Sequence, residues 1–232
     1  MTISGDGAVV MIAGASGLIG SHALKRLLSE SAISKVYALS RTPFESDQDH
    51  AHKLLNIVHP DLQVNNWSES NETPDLGLIC LGTTAKQAGS KQALEKVDFE
   101  LVCHVAQTMK LLGIKRVAVI SSYGASAQSL SHYLRCKGHM EQTLTRMRFE
   151  QLLILRPGPL VGVRAQPRTD EKWVQRILFC LRPFMLGKLQ NLIPIQAQSV
   201  ADTTIYKLFE KKFKNLEIMN SKEMLNFLSK YE

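Results

Sequence analysis

The chain of 232 residues lacks several features that would place it in a special class. No apolar run approaches the roughly eighteen residues of a membrane-spanning helix. The N-terminus has no basic region of the kind that opens a cleaved signal peptide. The four cysteines are widely spaced and form no C-x-x-C pair, which indicates a reduced compartment rather than a disulfide framework. We therefore expect a cytoplasmic protein without a membrane span.

Charge is unevenly distributed along the chain. The formal net charge is +7, and the segment from His132 to Lys188 holds eleven Lys or Arg against four Asp or Glu, so the remainder is balanced. Such an excess either attracts a phosphorylated small ligand or forms a solvated basic face. We expect no nucleic-acid partner.

Short apolar strands alternate with amphipathic helices over the first two thirds of the sequence. Strands are predicted at AVVMIAG (8–14), KVYALS (35–40), LQV (62–64), LGLICLG (76–82), IKRVAVISS (114–122) and QLLILRPG (151–158). Helices are predicted from Leu18 to Glu30, over 91–113 and over 131–147. This alternation implies right-handed crossovers, so the predicted fold class is α/β with a doubly wound parallel sheet.

Beyond Pro159 the pattern is looser. Helices are predicted around EKWVQRILFCL and SVADTTIYKLFEKKF, the second with Ser199 as its N-cap, and Asn220 and Glu223 have the spacing of a capping box before a last helix. We expect residues 1–232 to form a single domain in which about residues 160–232 contribute a small substrate-side lobe. That lobe would lie over the C-terminal edge of the sheet, where ligands bind in such folds.

The segment GASGLIG places Gly14, Gly17 and Gly20 between the first strand and the first helix. Glycines at this spacing allow a tight turn, a close approach of the backbone to a pyrophosphate and close helix packing. The helix N-terminus adds N–H donors and a positive potential. The pattern predicts a Rossmann-like dinucleotide-binding domain.

The end of the second strand indicates which dinucleotide is bound. An acid here would bind the ribose of NAD, but the sequence ALSRTP carries Arg41, flanked by Ser40 and Thr42. An arginine can pair with a 2′-phosphate, which favours NADP(H) over NAD(H).

The stretch SSYGASAQSLSHYLRCKG contains Ser122, Tyr133 and Lys137. A Y-x-x-x-K pair alone is common by chance, but these two residues share one face of a helix that follows a strand of the nucleotide-binding pattern. A nearby ammonium brings the pKa of a tyrosine towards neutrality, so Tyr133 is the expected proton donor and acceptor. Ser122 would orient a carbonyl, although the sequence does not fix the strand register that decides between it and Ser121.

Several motifs in order resemble the short-chain dehydrogenase/reductase superfamily, in its atypical branch of Tat-interacting-protein oxidoreductases. They are GASGLIG, ICLGTTAKQAGS, ISSYGA, YLRCKG and LRPGPLVGVRAQPR. The resemblance implies catalysis by Tyr133 with Lys137. It also implies cofactor contacts from Ser16, Leu18, Ile19, Arg41, Thr42, Leu81, Gly82, Leu160 and Arg168.

Together these motifs predict an NADP-dependent oxidoreductase that transfers a hydride between NADP(H) and a small carbonyl or alcohol. A regulatory protein gated by NADPH, with little turnover, is the alternative; sugar-nucleotide epimerisation uses similar motifs but a larger substrate lobe. DQDHAH (47–52) clusters acids and histidines without a further ligand pair, so we expect no metal. A protein partner or a homo-oligomer is left open.

Overall fold

A seven-stranded parallel sheet forms the centre of the structure, a computed structural model that describes residues 7–43, 52–68, 70–162 and 191–230. Its strands are β1 (Ala8–Ala13), β2 (Ile33–Ser40), β3 (Leu54–Val58), β4 (Leu76–Ile79), β5 (Arg116–Ile120), β6 (Gln151–Arg156) and β9 (Leu216–Asn220). They lie in the order β3-β2-β1-β4-β5-β6-β9. The short strands β7 (Leu160–Val161) and β8 (Ile195–Gln196) form a separate parallel pair. The predicted doubly wound sheet is confirmed.

Helices cover both faces of this sheet. They are α1 (Leu18–Ser29), α2 (Ala85–Ala88), α3 (Lys91–Glu95), α4 (Val102–Leu111), α5 (His132–Arg146), α6 (Ala197–Phe209) and α7 (Ser221–Leu228). A π-helical turn, Lys96–Leu101, joins α3 to α4, so the helix predicted over 91–113 is continuous but locally widened. Helices α1, α6 and α7 pack on one face, and α4 and α5 pack on the other.

The core follows from alternation along buried strands. In β1, Val10 and Ile12 point into the layer of α1 and α6, whereas Val9 and Met11 point towards α4. Burial on both faces explains why β1 is apolar throughout, as central strands of parallel sheets are. The result is a three-layer α/β/α arrangement.

The position of the ligand crevice follows from the strand order. From β1 the chain winds outward to β2 and β3, and it then returns to β4 on the other side of β1. The connections that follow β1 and β4 therefore pass to opposite faces of the sheet, which opens a crevice at the carboxyl ends of these two strands. Ala13 pairs with Ile79 at this edge, so the segments after these two residues flank the crevice.

The third strand is not where the sequence predicted it. The structure has β3 at Leu54–Val58, paired with β2, and 62–64 lies outside any strand. Leu62 adopts a positive φ of 53°, which is incompatible with a strand. Asn56 interrupts the apolar run of β3 and concealed it from a pattern search.

The described C-terminal elements extend the sheet and one of its helical layers. Leu216–Asn220 pairs with β6, and α6 packs against α1. Helix α6 begins at Ala197 after Gln196, so Ser199 is not its N-cap. The predicted capping box of Asn220 and Glu223 is confirmed at α7. The predicted helix around EKWVQRILFCL lies outside the described residues.

Candidate active site

The glycine loop between β1 and α1 is closely packed backbone. Gly14 has a φ of +86°, and a Cβ there would lie 2.8 Å from the carbonyl of Cys80. A Cβ at Gly20 would lie 2.0 Å from the oxygen of Gly14, so the start of α1 fits only because this residue lacks a side chain. The N–H of Gly17 donates to Gly14 O at 3.0 Å and closes the turn. Within the part of the chain that the structure describes, no side chain caps the N-terminus of α1, which is the kind of helix end that binds anions.

The carboxyl end of β2 carries three polar residues. Arg41 and Thr42 are exposed beyond the strand. Ser40 is half-buried, and its Oγ is shielded from solvent without a hydrogen-bond partner among the described residues. A buried hydroxyl without a partner is costly unless a ligand satisfies it.

The segment after β4 runs directly over a pair of buried charges. A Cβ at Gly82 would lie 3.2 Å from Asp98 Oδ1 and 3.5 Å from Lys137 Nζ. Gly82 and Lys137 are separated by more than fifty residues, and the fold brings them together at the crevice. Leu81 is half-buried beside them and packs on the α4 and α5 side of the core.

The segment after β6 approaches the glycine loop. Leu160 is half-buried in β7, and two residues later a Cβ at Gly162 would lie 2.8 Å from Leu18 Cδ1. This contact brings the predicted cofactor residues Leu18 and Leu160 to the same edge of the sheet. Arg168 lies outside the described residues.

Helix α5 carries Tyr133 and Lys137. The Tyr133 side chain is half-buried, whereas that of Lys137 is 2% exposed. Its ammonium donates to Ile120 O at 3.2 Å and lies 2.9 Å from Asp98 Oδ1. Burial lowers the pKa of Lys137, but Asp98 and Tyr133 oppose that effect and keep it above its ordinary value. Lys137 is therefore a protonated cation next to Tyr133.

The two adjacent serines after β5 have different surroundings. Ser121 is buried, and its Oγ donates to the carboxylate of Glu141 on α5, which also pairs with Arg156. Ser122 is half-buried and continues the strand direction towards the crevice edge. Both serines lie beyond the end of β5 at Ile120, and Ser121 is the one whose hydroxyl is engaged by α5.

Three residues that position this region were missed from the sequence. Asp98 lies four residues after Leu94 and four before Val102, so an acid in an apolar helical stripe was the available signal. A Cβ at Gly138 would lie 2.2 Å from Ala127 N, so this glycine lets α5 pack on the preceding loop. For Glu141 the sequence offered no comparable signal.

The described ranges hold no group of three His, Cys, Asp or Glu side chains arranged to bind a metal ion. Within those same ranges, every helix is too short or too polar to span a bilayer.

A parallel sheet with this strand order, a glycine loop after β1 and a Tyr–Lys helix after β5 define a Rossmann-type domain of the atypical short-chain dehydrogenase/reductase superfamily. The model of the HIM1 family matches residues 65–188, more than half of the chain. The chain belongs to this family.

Relatives with curated names support the same placement. Protein fmp52 of Emericella nidulans is 33% identical over 70% of this chain and 71% of its own. Protein FMP52 of Kluyveromyces lactis is 30% identical over 93% and 96%. Protein HTATIP2 of Rattus norvegicus is 31% identical over 73% and 69%.

Solved structures share the fold at low sequence identity. The UDP-glucuronic acid 4-epimerase of Bacillus cereus, solved with NAD, has a TM-score of 0.67 at 17% identity, covering 97% of this chain and 82% of its own. The PhqB reductase domain of Penicillium fellutanum has a TM-score of 0.64 at 20% identity, covering 97% and 70%. This likeness concerns the fold alone.

The prediction of a cytoplasmic protein is wrong. The FMP52 relatives of Emericella nidulans and Kluyveromyces lactis are both named mitochondrial proteins. The prediction rested on a search for a secretory signal, which has no bearing on mitochondrial import.

Proposed function

We propose that this chain is an NADP-dependent oxidoreductase that transfers a hydride between NADP(H) and a small carbonyl or alcohol. The observation that carries the proposal is the buried Lys137 ammonium, which lies under Gly82 at the crevice and next to Tyr133 on α5. A cation is seldom buried at a ligand crevice without a chemical use.

The residues at the crevice fit a nicotinamide dinucleotide. Backbone atoms fill the space that a Cβ at Gly14 or Gly20 would need. The loop is therefore tightly turned and has no side chains at these positions, as in loops whose backbone contacts a pyrophosphate. The Oγ of Ser40 lacks a partner among the described residues at the place where a ribose would lie. These features support cofactor contacts from the loop residues Gly14, Ser16, Gly17, Leu18, Ile19 and Gly20, and from Leu81, Gly82 and Leu160.

Arg41 supports the choice of NADP(H) over NAD(H). It is exposed directly after β2, where a guanidinium can form charge-assisted hydrogen bonds with a 2′-phosphate, and Thr42 adds a hydroxyl. Neither position 41 nor position 42 holds an acidic residue that would repel this phosphate. The relatives solved with NAD share only the fold, so they do not decide the cofactor of this chain.

Residues of this chain would transfer the proton that accompanies the hydride. The bound cofactor supplies or accepts the hydride. Tyr133 gives its phenolic proton to the carbonyl oxygen during reduction and takes it back during oxidation. Lys137 stabilises the phenolate through its positive charge, and Ser122 donates a hydrogen bond that orients the carbonyl. Ser121 is engaged by Glu141 and holds α5 instead.

The test is NADPH oxidation over a panel of small aldehydes and ketones, with NADPH binding measured in parallel by thermal shift. We expect binding together with turnover of at least one carbonyl. Binding without any turnover would support a cofactor-gated regulatory protein instead. Absence of binding would refute both functions.

A further inference from the structure

Asp98 and Lys137 form an ion pair that is closed to solvent. Their side chains are 0% and 2% exposed, and Oδ1 lies 2.9 Å from Nζ. A charge buried this deeply is strongly unfavourable once its partner is removed. Removal of Asp98 would therefore leave the Lys137 ammonium buried without its anionic partner.

The second oxygen of the same carboxylate has a different partner. Asp98 Oδ2 accepts the N–H of Thr83 at 2.9 Å, and Thr83 belongs to the segment after β4 that flanks the crevice. Asp98 lies on the π-helical turn Lys96–Leu101, a local widening that is frequent at functional sites. One carboxylate thus connects the crevice segment to the ammonium on α5.

The surroundings of Lys137 identify Asp98 as its anionic partner. The titratable groups that act on the ammonium are Asp98 from the preceding helix and Tyr133 and Cys136 from α5, while β5 contributes the carbonyl of Ile120. An ammonium has three protons, so Lys137 can serve one further acceptor while it keeps both protein contacts.

We propose that Asp98 is a positioning residue that holds Lys137 protonated and fixes it against the segment Leu81–Thr84. The catalytic meaning of this role rests on the proposed function, but the control of the Lys137 charge does not. Asp98 acts through Lys137 and touches no substrate.

The first test measures stability against pH and needs no turnover. In the native protein the pKa of Lys137 lies above its ordinary value of 10.5, so the ammonium stays protonated below that pH. In Asp98→Asn the carboxylate no longer opposes the effect of burial, so the pKa of Lys137 in the folded protein falls. As pH rises, Lys137 then loses its proton in the folded protein before it does so in the unfolded protein. Between the lowered pKa and 10.5, the variant regains stability relative to wild type, by about tenfold in the unfolding constant per pH unit.

Glu141→Gln is the matched control because Glu141 is also a buried carboxylate that pairs with a cation. Its partner Arg156 stays protonated at every pH in the range, so the stability lost in this variant is constant. Urea unfolding from pH 7 to 10 gives the free energy of unfolding of each variant relative to wild type. The loss should become smaller as pH rises for Asp98→Asn and should stay constant for Glu141→Gln. A deficit that is equally constant in both variants would overturn the proposal.

The second test follows carbonyl reduction. The proposed reduction needs the positive charge of Lys137 beside Tyr133, and removal of the Asp98 carboxylate lowers the pKa of Lys137. The alkaline limb of kcat/KM should move to lower pH by about 1 to 3 units in Asp98→Asn, the size expected for a neighbouring charge. A uniform loss of kcat/KM at all pH values, with an unmoved limb, would indicate a merely structural residue and contradict the proposal.

Two further variants keep the test decisive. If Asp98→Asn does not fold, the double variant Asp98→Asn with Lys137→Met should fold, because it leaves no unpaired buried charge. A double variant that also fails to fold would refute the role through Lys137. NADPH binding and turnover by the wild type are read separately, so failure of the proposed function is distinguished from failure of this inference.

Discussion

Gly20 and Gly14 are so close that a Cβ on the first would lie 2.0 Å from the carbonyl oxygen of the second. This contact sets the distance between the first turn of α1 and the end of β1. It also leaves the crevice lined by backbone, which is the property that a pyrophosphate site requires.

Gly20→Ala should therefore abolish most of the thermal stabilisation by NADPH. The added methyl group meets backbone rather than a flexible side chain, so the loop itself must move, at a stability cost of about 1 to 3 kcal/mol. Lys25→Ala, at an exposed position of the same helix, is the control and should retain the full thermal shift. Full stabilisation of Gly20→Ala by NADPH would place the cofactor elsewhere.

Arg41→Glu should reverse the cofactor preference. Loss of a charge-assisted hydrogen bond, with repulsion added, should weaken NADPH binding by about 10- to 100-fold and leave NADH binding little changed. Lys115→Glu makes the same change of charge directly before β5, at the amino-terminal ends of the strands and therefore away from Arg41. It should change the affinity for neither NADPH nor NADH. Equal weakening of NADPH binding in both variants would mean that only net charge matters.

Substitutions of the two serines after β5 should affect different properties of the protein, one its stability and the other its turnover. Ser121→Ala removes a buried donor to Glu141 and should lower the free energy of unfolding by about 1 kcal/mol, as seen in urea titrations. Ser122→Ala should leave stability nearly unchanged and lower kcat for carbonyl reduction. The opposite pattern would assign the substrate contact to Ser121.

The half-buried Cys80, beside the glycine loop, gives a prediction about alkaline stability. Burial raises the pKa of Cys80 to about 12, from an ordinary value of 9.0. Unfolded protein therefore loses this proton first, and stability falls as pH rises above about 9. Cys80→Ala is expected to be less stable at pH 8, and the gap to wild type should narrow by pH 10.5. A constant gap in urea unfolding would show that the thiol titrates normally.

Much of the fold could be predicted because its signals are local. Buried parallel strands such as AVVMIA are uniformly apolar, and the glycine spacing at Gly14 and Gly20 records backbone constraints that no other residue satisfies. The third strand was missed because Asn56 breaks its apolar run. Its place in the sheet depends on pairing with β2, which is a tertiary property.

The site was only partly predictable for a similar reason. Tyr133 and Lys137 could be linked by their helical spacing, but the carboxylate that pairs with Lys137 comes from another helix. Asp98 and Lys137 are almost forty residues apart in sequence, and no periodicity relates them. Strand register likewise decides between Ser121 and Ser122, and register depends on packing of β5 against α5.

The most direct test of the account is NADPH oxidation by wild type and by Tyr133→Phe with a carbonyl that the wild type reduces. Loss of the phenolic proton should lower kcat by about 100- to 10,000-fold, while NADPH binding stays within a few fold because the ring is kept. Undiminished turnover in Tyr133→Phe would contradict the account.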